Sequence, residues 1–174
     1  MSNTSIGTVN NVRCVAGGVY PASDWKDNGD GTVRDNRSGL YYQKCSYGLN
    51  NDANCSGTIG TINWQNSLSY CDTLALAGRK WRLPNINELI ALADLTQTAA
   101  PFVNATYFPG VPIDGAYPVP IYYYWSSTTM AANGFYSHLL NFSQLSVAGM
   151  DTKRNANNLG NPTYYYLARC VSGP

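Results

Sequence analysis

The apolar positions of this chain fall mostly in short β-prone runs separated by Gly-, Asn- and Asp-rich punctuation, and only two stretches carry a helical period. The clearer of the two is Trp64 to Ala77. Trp64, Leu68, Cys71 and Ala75 recur at spacings of four, three and four, one face of a helix, and Leu74 widens it. Thr61 or Asn63 can cap its start, and Gly78 ends it. Pro84 disfavours helix at Leu83, so Trp81-Arg-Leu-Pro84 reads as extended. Asn85, with Glu88 three residues on, then opens a second helix as a capping box. It runs to about Asp94, with Ile86, Leu89, Ile90 and Ala93 inward. Upstream, Asp27-Asn-Gly-Asp-Gly-Thr32 lies between β-prone segments. Asn28-Gly29 or Asp30-Gly31 supplies the positive φ of a tight hairpin turn. Val33 to Gln43 is the return of that hairpin and a following strand. Residues 101–120 are Pro- and Gly-rich and aperiodic, an irregular loop of a length often tied to function. Tyr122–Trp125, Ser137–Phe142 and Tyr164–Val171 are three β-prone runs expected to form a small sheet, with a polar loop at 153–161 between the last two. The class is α+β: two short helices, small antiparallel sheets and long loops.

Length and charge narrow this picture. A chain of 174 residues forms one domain that buries roughly 70% of its unfolded surface, so a real core is available. Only 12% of residues are charged and the net charge is +1, which leaves no electrostatic footprint for nucleic acid or a membrane surface. No window of about 18 apolar residues exists to insert into a bilayer. Residues 1–9 are polar and lack the basic and apolar regions of a signal peptide, so export is expected to be directed by a part not present in this sequence. Asn, Ser, Thr, Gly and Tyr must supply the polar surface. That mixture suits a wet, adaptable contact face and equally a turn-rich fold.

The Asp27–Thr32 segment also invites a calcium reading. An EF-hand register with Gly31 at position six puts Lys26 at position one and Arg37 where a bidentate Glu belongs, so the hairpin is preferred. No cofactor is expected, a non-EF calcium site being the one exception the ligand types leave open.

The five cysteines are Cys14, Cys45, Cys55, Cys71 and Cys170. None forms a C-x-x-C pair and His138 is the only histidine, which argues against a zinc site and for disulfides in an oxidising compartment. Cys45 and Cys55 bracket a Gly/Asn/Asp-rich loop that a local staple would close. Cys71 and Cys170 would then tie an early helix to the final strand. Spacing alone leaves the connectivity open, and Cys71 also fits as a small buried residue. Cys14 is left over. Its context, Val-Arg-Cys-Val-Ala-Gly-Gly at 12–18, echoes Ala-Arg-Cys-Val-Ser-Gly-Pro at 168–174. Residues 1–18 are therefore read as an N-terminal arm, the remnant of a preceding copy of a module that spans 19–174.

In order, the landmarks are Asp-Asn-Gly-Asp-Gly-Thr-Val at 27–33, Gly-Leu-Tyr-Tyr-Gln-Lys-Cys at 39–45, Trp-Arg-Leu-Pro-Asn-Ile-Asn-Glu-Leu at 81–89, Tyr-Phe-Pro at 107–109, Tyr-Trp-Ser-Ser-Thr-Thr at 124–129 and Arg-Cys-Val at 169–171. This series resembles the bacterial DUF1566 family, also called the Lcl C-terminal domain, over nearly all of 19–174. The resemblance implies a C-type-lectin-like fold in which a helix cysteine pairs with one on the last strand, here Cys71 with Cys170. It implies an exported module at the bacterial cell surface, an adhesin or ligand-binding tip for a host or surface protein or a glycan, with trimers and sulfated-glycan binding in the namesake. It further implies relatives whose surface residues are varied by diversity-generating retroelements. This sequence departs from the family at Tyr41-Tyr42, where a bulky apolar residue and Trp are more usual, and in lacking an excess of Arg and Lys for a polysulfated chain.

Adenine-directed variation acts on Asn codons and yields Tyr, Ser, Asp, His and Phe. Residues 129–166 are rich in these types. Asn133, Phe135, Tyr136, His138, Asn155, Asn157, Asn158, Tyr164 and Tyr165 are the expected ligand-binding residues, through stacking and neutral hydrogen bonds. Half of the Tyr and Leu positions there are also ordinary core-facing strand positions, and Tyr164–Tyr166 must place at least one ring inward. Trp64, Trp81 and Trp125 are assigned to the core. With one His and no Ser-His-Asp set, catalysis is not expected. A structural subunit of a surface fibre or pilus tip, supported by the Arg-Cys-Val echo, is the alternative.

Overall fold

The computed structural model describes residues 24–115, 120–146, 150–153 and 164–173. They form an α+β domain of two four-stranded sheets and two helices. The first sheet has β1 (Trp25–Asp27), β2 (Thr32–Asp35), β3 (Tyr41–Gln43) and β8 (Val171–Ser172), in that order. The second is ordered β6 (Met150–Thr152), β5 (Tyr136–Leu140), β4 (Ile121–Thr129) and β7 (Tyr164–Leu167). α1 (Trp64–Thr73) and α2 (Ile86–Ile90) lie between the two groups of strands in sequence.

The hairpin at Asp27–Thr32 forms as expected. Asp27 pairs with Val33 across it, Gly29 and Gly31 take φ of +74° and +83°, and the Asp30 carboxylate accepts from both Thr32 N–H (3.0 Å) and its hydroxyl (2.6 Å). The expectation of purely antiparallel sheets is corrected at one place. β7 runs parallel to β4, with Ile121 opposite Tyr164 and Tyr124 opposite Leu167. β6 ends beside Tyr136, at one end of the sheet, and β7 starts beside Ile121, at the other. The strand therefore enters β4's second edge in β4's own direction.

The third β-prone run also divides. Tyr164–Leu167 stays in the second sheet, while Val171–Ser172 crosses to the first and pairs with β3 and with Arg82. The switch at Ala168–Cys170 is fully buried. The Arg169 guanidinium, 1% exposed, donates to the Gln43 carbonyl (2.9 Å), the Lys44 carbonyl and the Ser46 hydroxyl (3.0 Å). Cys170 is bonded to Cys71 of α1, and Cys45 is bonded to Cys55 across the Gly/Asn-rich loop. Both staples read from the sequence are present.

The helices are shorter than their apolar periods suggest. α1 is capped by Asn63, whose side chain accepts from Asn66 N–H at 2.8 Å. It ends at Thr73, not near Ala77, because Leu74 turns extended (φ −65°, ψ 113°). Leu74 and Leu76, two residues apart, both pack against the core, which an extended stretch allows and a helix does not. The buried face of α1 is Ser67 and Cys71, with Ala75 exposed. α2 has the full capping box of Asn85 and Glu88. It stops at Ile90, which is 39% exposed, and the following turn puts Leu92 (1%) into the core in its place.

Two apolar clusters cover the two faces of the second sheet. Tyr124, Leu140 and Leu167 join Trp25, Val33, Tyr42, Leu89 and Phe108 on one side; Trp125, Leu139 and Tyr166 join Trp81, Leu83 and the Cys71–Cys170 bridge on the other. Trp25, Tyr42 and Phe108 meet edge to face at centroid distances of 5.2–6.3 Å. The irregular 101–115 segment supplies Val103, Phe108 and Val111 to this core. Trp81 and Trp125 are buried as expected, whereas Trp64 is only half-buried.

Candidate functional site

Asn133, Phe135, Tyr136 and His138 come together on the β4–β5 hairpin. Its register shifts between Trp125 and Thr129, a bulge that the Ser137 hydroxyl stabilises by donating to the Ser126 (2.6 Å) and Thr128 (3.0 Å) carbonyls. The Ser126 hydroxyl donates to the His138 carbonyl at 2.8 Å. The turn above is closed by Met130 N–H to the Tyr136 carbonyl (3.1 Å) and Tyr136 N–H to the Asn133 carbonyl (3.1 Å). The Asn133 side chain accepts from Phe135 N–H at 3.0 Å, an Asx turn that aims the next ring outward. Phe135 is 71% exposed, the most exposed large apolar side chain among the described residues. Tyr136 and His138, two apart and so on one side of β5, are half-buried.

Lys153, the residue after β6, braces the hairpin. Its N–H donates to the Phe135 carbonyl (3.0 Å) and its ammonium donates to the Thr129 hydroxyl (2.8 Å) while lying 4.1 Å from the Trp64 ring. Trp64 in turn donates its indole N–H to the Ser126 carbonyl at 2.9 Å. This support is not legible in the sequence. Lys153 lies 89 residues from Trp64, and no short-range pattern joins them.

Tyr164 and Tyr165 lie at the other end of the same sheet. Tyr165 packs against Tyr122 with ring centroids 5.6 Å apart, and Tyr164 stands in register with Ile121. From Tyr122 to the hairpin turn, β4 advances about 25 Å. The expected site residues are thus two groups at opposite ends of one strand. The Tyr165 end holds a polar cluster that the sequence did not suggest. Asp114 accepts from Tyr122 N–H (2.9 Å), Asn141 Nδ2 (2.7 Å) and Gln144 Nε2 (3.1 Å). Burial, the neighbouring Tyr165 and the Asp114 charge push the Tyr122 hydroxyl's pKa up. Asn155, Asn157, Asn158 and the Arg-Cys-Val echo around Cys14 lie outside the described residues.

The Asp27–Thr32 loop spends its carboxylates on the fold. Asp27 is bound by the Lys44 ammonium at 2.8 Å and accepts from Gly29 N–H at 2.9 Å. The Lys44 hydrogen bond holds the Asp27 carboxyl below its ordinary pKa, against the upward push of burial. Among the described residues, no group of three or more His, Cys, Asp or Glu side chains is placed to hold a metal ion.

No curated protein and no solved structure matches the chain. The sequence profile of the Lcl C-terminal domain matches residues 31–171, which takes in β2 to β7, both helices and both disulfides. The chain belongs to the Lcl C-terminal domain family.

Proposed function

We propose that this chain is a non-catalytic extracellular ligand-binding or adhesion module with a C-type-lectin-like fold, and that it meets a protein or glycan ligand with the β4–β5 hairpin end. The observation that carries this reading is Phe135. A ring 71% exposed on a hairpin fixed by a bulge, an Asx turn and the Lys153 brace is a preorganised aromatic anchor. Asn133 beside it offers an adaptable polar contact, and Tyr136 and His138 extend the surface along β5. Two disulfides are compatible with an extracellular location, and no helix among the described residues is long and apolar enough to cross a membrane. Sequence diversification belongs to the same proposal. The exposed turn residues lie beyond the bulge from the paired Trp125 and Leu139, which are buried at 0% and 3%.

The test is an array of glycans and surface proteins probed with the purified chain, followed by Phe135→Ala on any hit. We expect affinity to fall at least tenfold, about 1.4 kcal/mol or more, with an unchanged melting temperature, as for a central aromatic contact. A hit that Phe135→Ala binds as tightly as the parent would remove the hairpin from the interface, and silence across the array would remove the binding reading.

A further inference from the structure

The cations of this protein are not evenly neutralised. Arg37 pairs with Asp35 (3.5 Å), Lys44 with Asp27 (2.8 Å) and Arg82 with Glu88 (2.6 Å). Arg169 is enclosed by carbonyls, and Lys153 is held by Thr129 and Trp64. Lys26, Arg34, Arg79 and Lys80 have no carboxylate within ion-pair distance among the described residues. Three of these four share one place. Lys26 is directly opposite Arg34, and Arg34 directly opposite Tyr41, so the three side chains stand in a row on one face of the first sheet. The Arg79 guanidinium, from the turn after α1, stacks 3.4 Å from the Tyr41 ring centre, and Arg34 lies 5.7 Å from the same centre.

The hydrogen bonding at this spot is incomplete. Three buried side-chain nitrogens lack a partner among the described residues, and two of them are Arg34 Nε and Arg79 Nε. A guanidinium nitrogen removed from water and given no acceptor is destabilising, so neither arginine is satisfied at its Nε by the fold around Tyr41. The same face is closed further along the strands, where Gln43 donates to the Tyr70 hydroxyl of α1 at 2.6 Å and Cys170 is tied to Cys71. Lys26 and Lys80 are exposed and Arg34, Tyr41 and Arg79 half-buried, so this part of the face is open.

We propose that the Lys26–Arg34–Tyr41–Arg79 surface docks a short acidic segment of a partner protein, whose carboxylates lie against the two guanidiniums. The planar fork of Arg matches a carboxylate, and both forks lie at the Tyr41 ring, Arg79 3.4 Å and Arg34 5.7 Å from its centre. The size of the patch selects the partner. A long polyanion gains from a track of cations, but here Arg37, Lys44 and Arg82 are already consumed by Asp35, Asp27 and Glu88. What remains unneutralised fits two or three carboxylates. This surface is on the other sheet from the β4–β5 hairpin and stands or falls independently of the function proposed for Phe135.

The experiment is fluorescence anisotropy of a labelled hexaglutamate peptide with the full chain at low and at physiological salt. We expect saturable binding that weakens as salt is added. It should fall at least tenfold in Arg34→Gln with Arg79→Gln and severalfold in Lys26→Gln, and stay unchanged in Arg37→Gln and Phe135→Ala. Lys26 is exposed, so its variant reads the patch even if the double arginine variant is poorly folded, which a thermal melt reports. Arg79→Lys should bind between the parent and Arg79→Gln. Absence of saturable binding would overturn the proposal, as would equal losses in Arg37→Gln. Tighter binding of a sulfated oligosaccharide of equal charge would overturn the choice of an acidic peptide.

Discussion

Arg169 shows how a single residue organises this protein. It is 1% exposed, carries a charge and has no carboxylate partner among the described residues; two main-chain carbonyls and the Ser46 hydroxyl compensate it instead. Its guanidinium also lies 4.9 Å from the Phe108 ring centre and 5.9 Å from that of Tyr124. Ser46 is within 2.8 Å of the Tyr124 hydroxyl, so one network fastens β3, β4 and the segment between β7 and β8. The carbonyls of Gln43 and Lys44 point inward because a cation meets them there. Arg169→Met would keep most of the volume and leave those acceptors unpaired in the core. The expected loss is about 3 kcal/mol, read as a lower denaturant midpoint in urea with an unchanged slope. A loss below about 1 kcal/mol would mean that water or neighbouring N–H groups replace the guanidinium.

At the scale of elements, what was legible in the sequence was what short-range chemistry decides. Asn85 and Glu88 stand three apart and form the capping box read from their spacing, and the Asn-Gly-Asp-Gly turn closes the hairpin it predicts. The helix ends were not legible, because tertiary packing of Leu74, Leu76 and Leu92 sets them. Nor was the second partner of Glu88. Its carboxylate receives a bidentate fork from Arg82 (2.6 and 2.7 Å) as well as Asn85 N–H (2.8 Å), and so joins α2 to the extended segment beside β8. Burial pushes the Glu88 carboxyl up, but the Arg82 fork and the Asn85 N–H outweigh it and hold the pKa below the ordinary 4.5. The folded state therefore binds this proton more weakly than the unfolded chain. The stabilisation is complete above about pH 4.5 and is lost as the pH falls through the lower folded value. Arg82 is 44% exposed, so solvent screening limits the contribution to about 1 kcal/mol. Glu88→Gln keeps an acceptor for the Asn85 N–H and removes the charge. It should melt several degrees lower at pH 7, with the difference from the parent closing near pH 3. A gap of the same size at both pH values would assign the effect to packing.

For the whole molecule, the staples were legible and the crossing of sheets was not. Cys45 and Cys55 are 10 residues apart around a loop that holds no regular element, whereas the Tyr164–Val171 run shows no break where it leaves one sheet for the other. The candidate site divides in the same way. The composition of 129–166 pointed to the hairpin residues, but the distance that parts them from Tyr165 follows from the parallel placement of β7, which no local pattern announces. The Cys71–Cys170 bridge is what holds that crossing. It closes a separation of 99 residues, and β8 beyond it is two residues long, held by β3 on one side and by Arg82 on the other (2.9 Å in each direction). In the chain-entropy account a loop of that length contributes about 4–5 kcal/mol, against about 3 kcal/mol for the Cys45–Cys55 loop, because the dependence on length is logarithmic. Both cysteines of the longer bridge are 0% exposed, so truncating them also removes core contacts. Replacing Cys71 and Cys170 with Ala should therefore lower the melting temperature more than replacing Cys45 and Cys55, and should collapse hydrogen-exchange protection at the Val171 and Arg82 amides first. Retained protection at Val171 in the Cys71→Ala, Cys170→Ala variant would show that Arg169 and the strand pairing hold β8 without the bridge. The parent, unfolded without reductant, should titrate for one thiol per chain if Cys14 is free and for none if Cys14 joins two chains; two or more would mean that at least one of the two bridges does not form in solution.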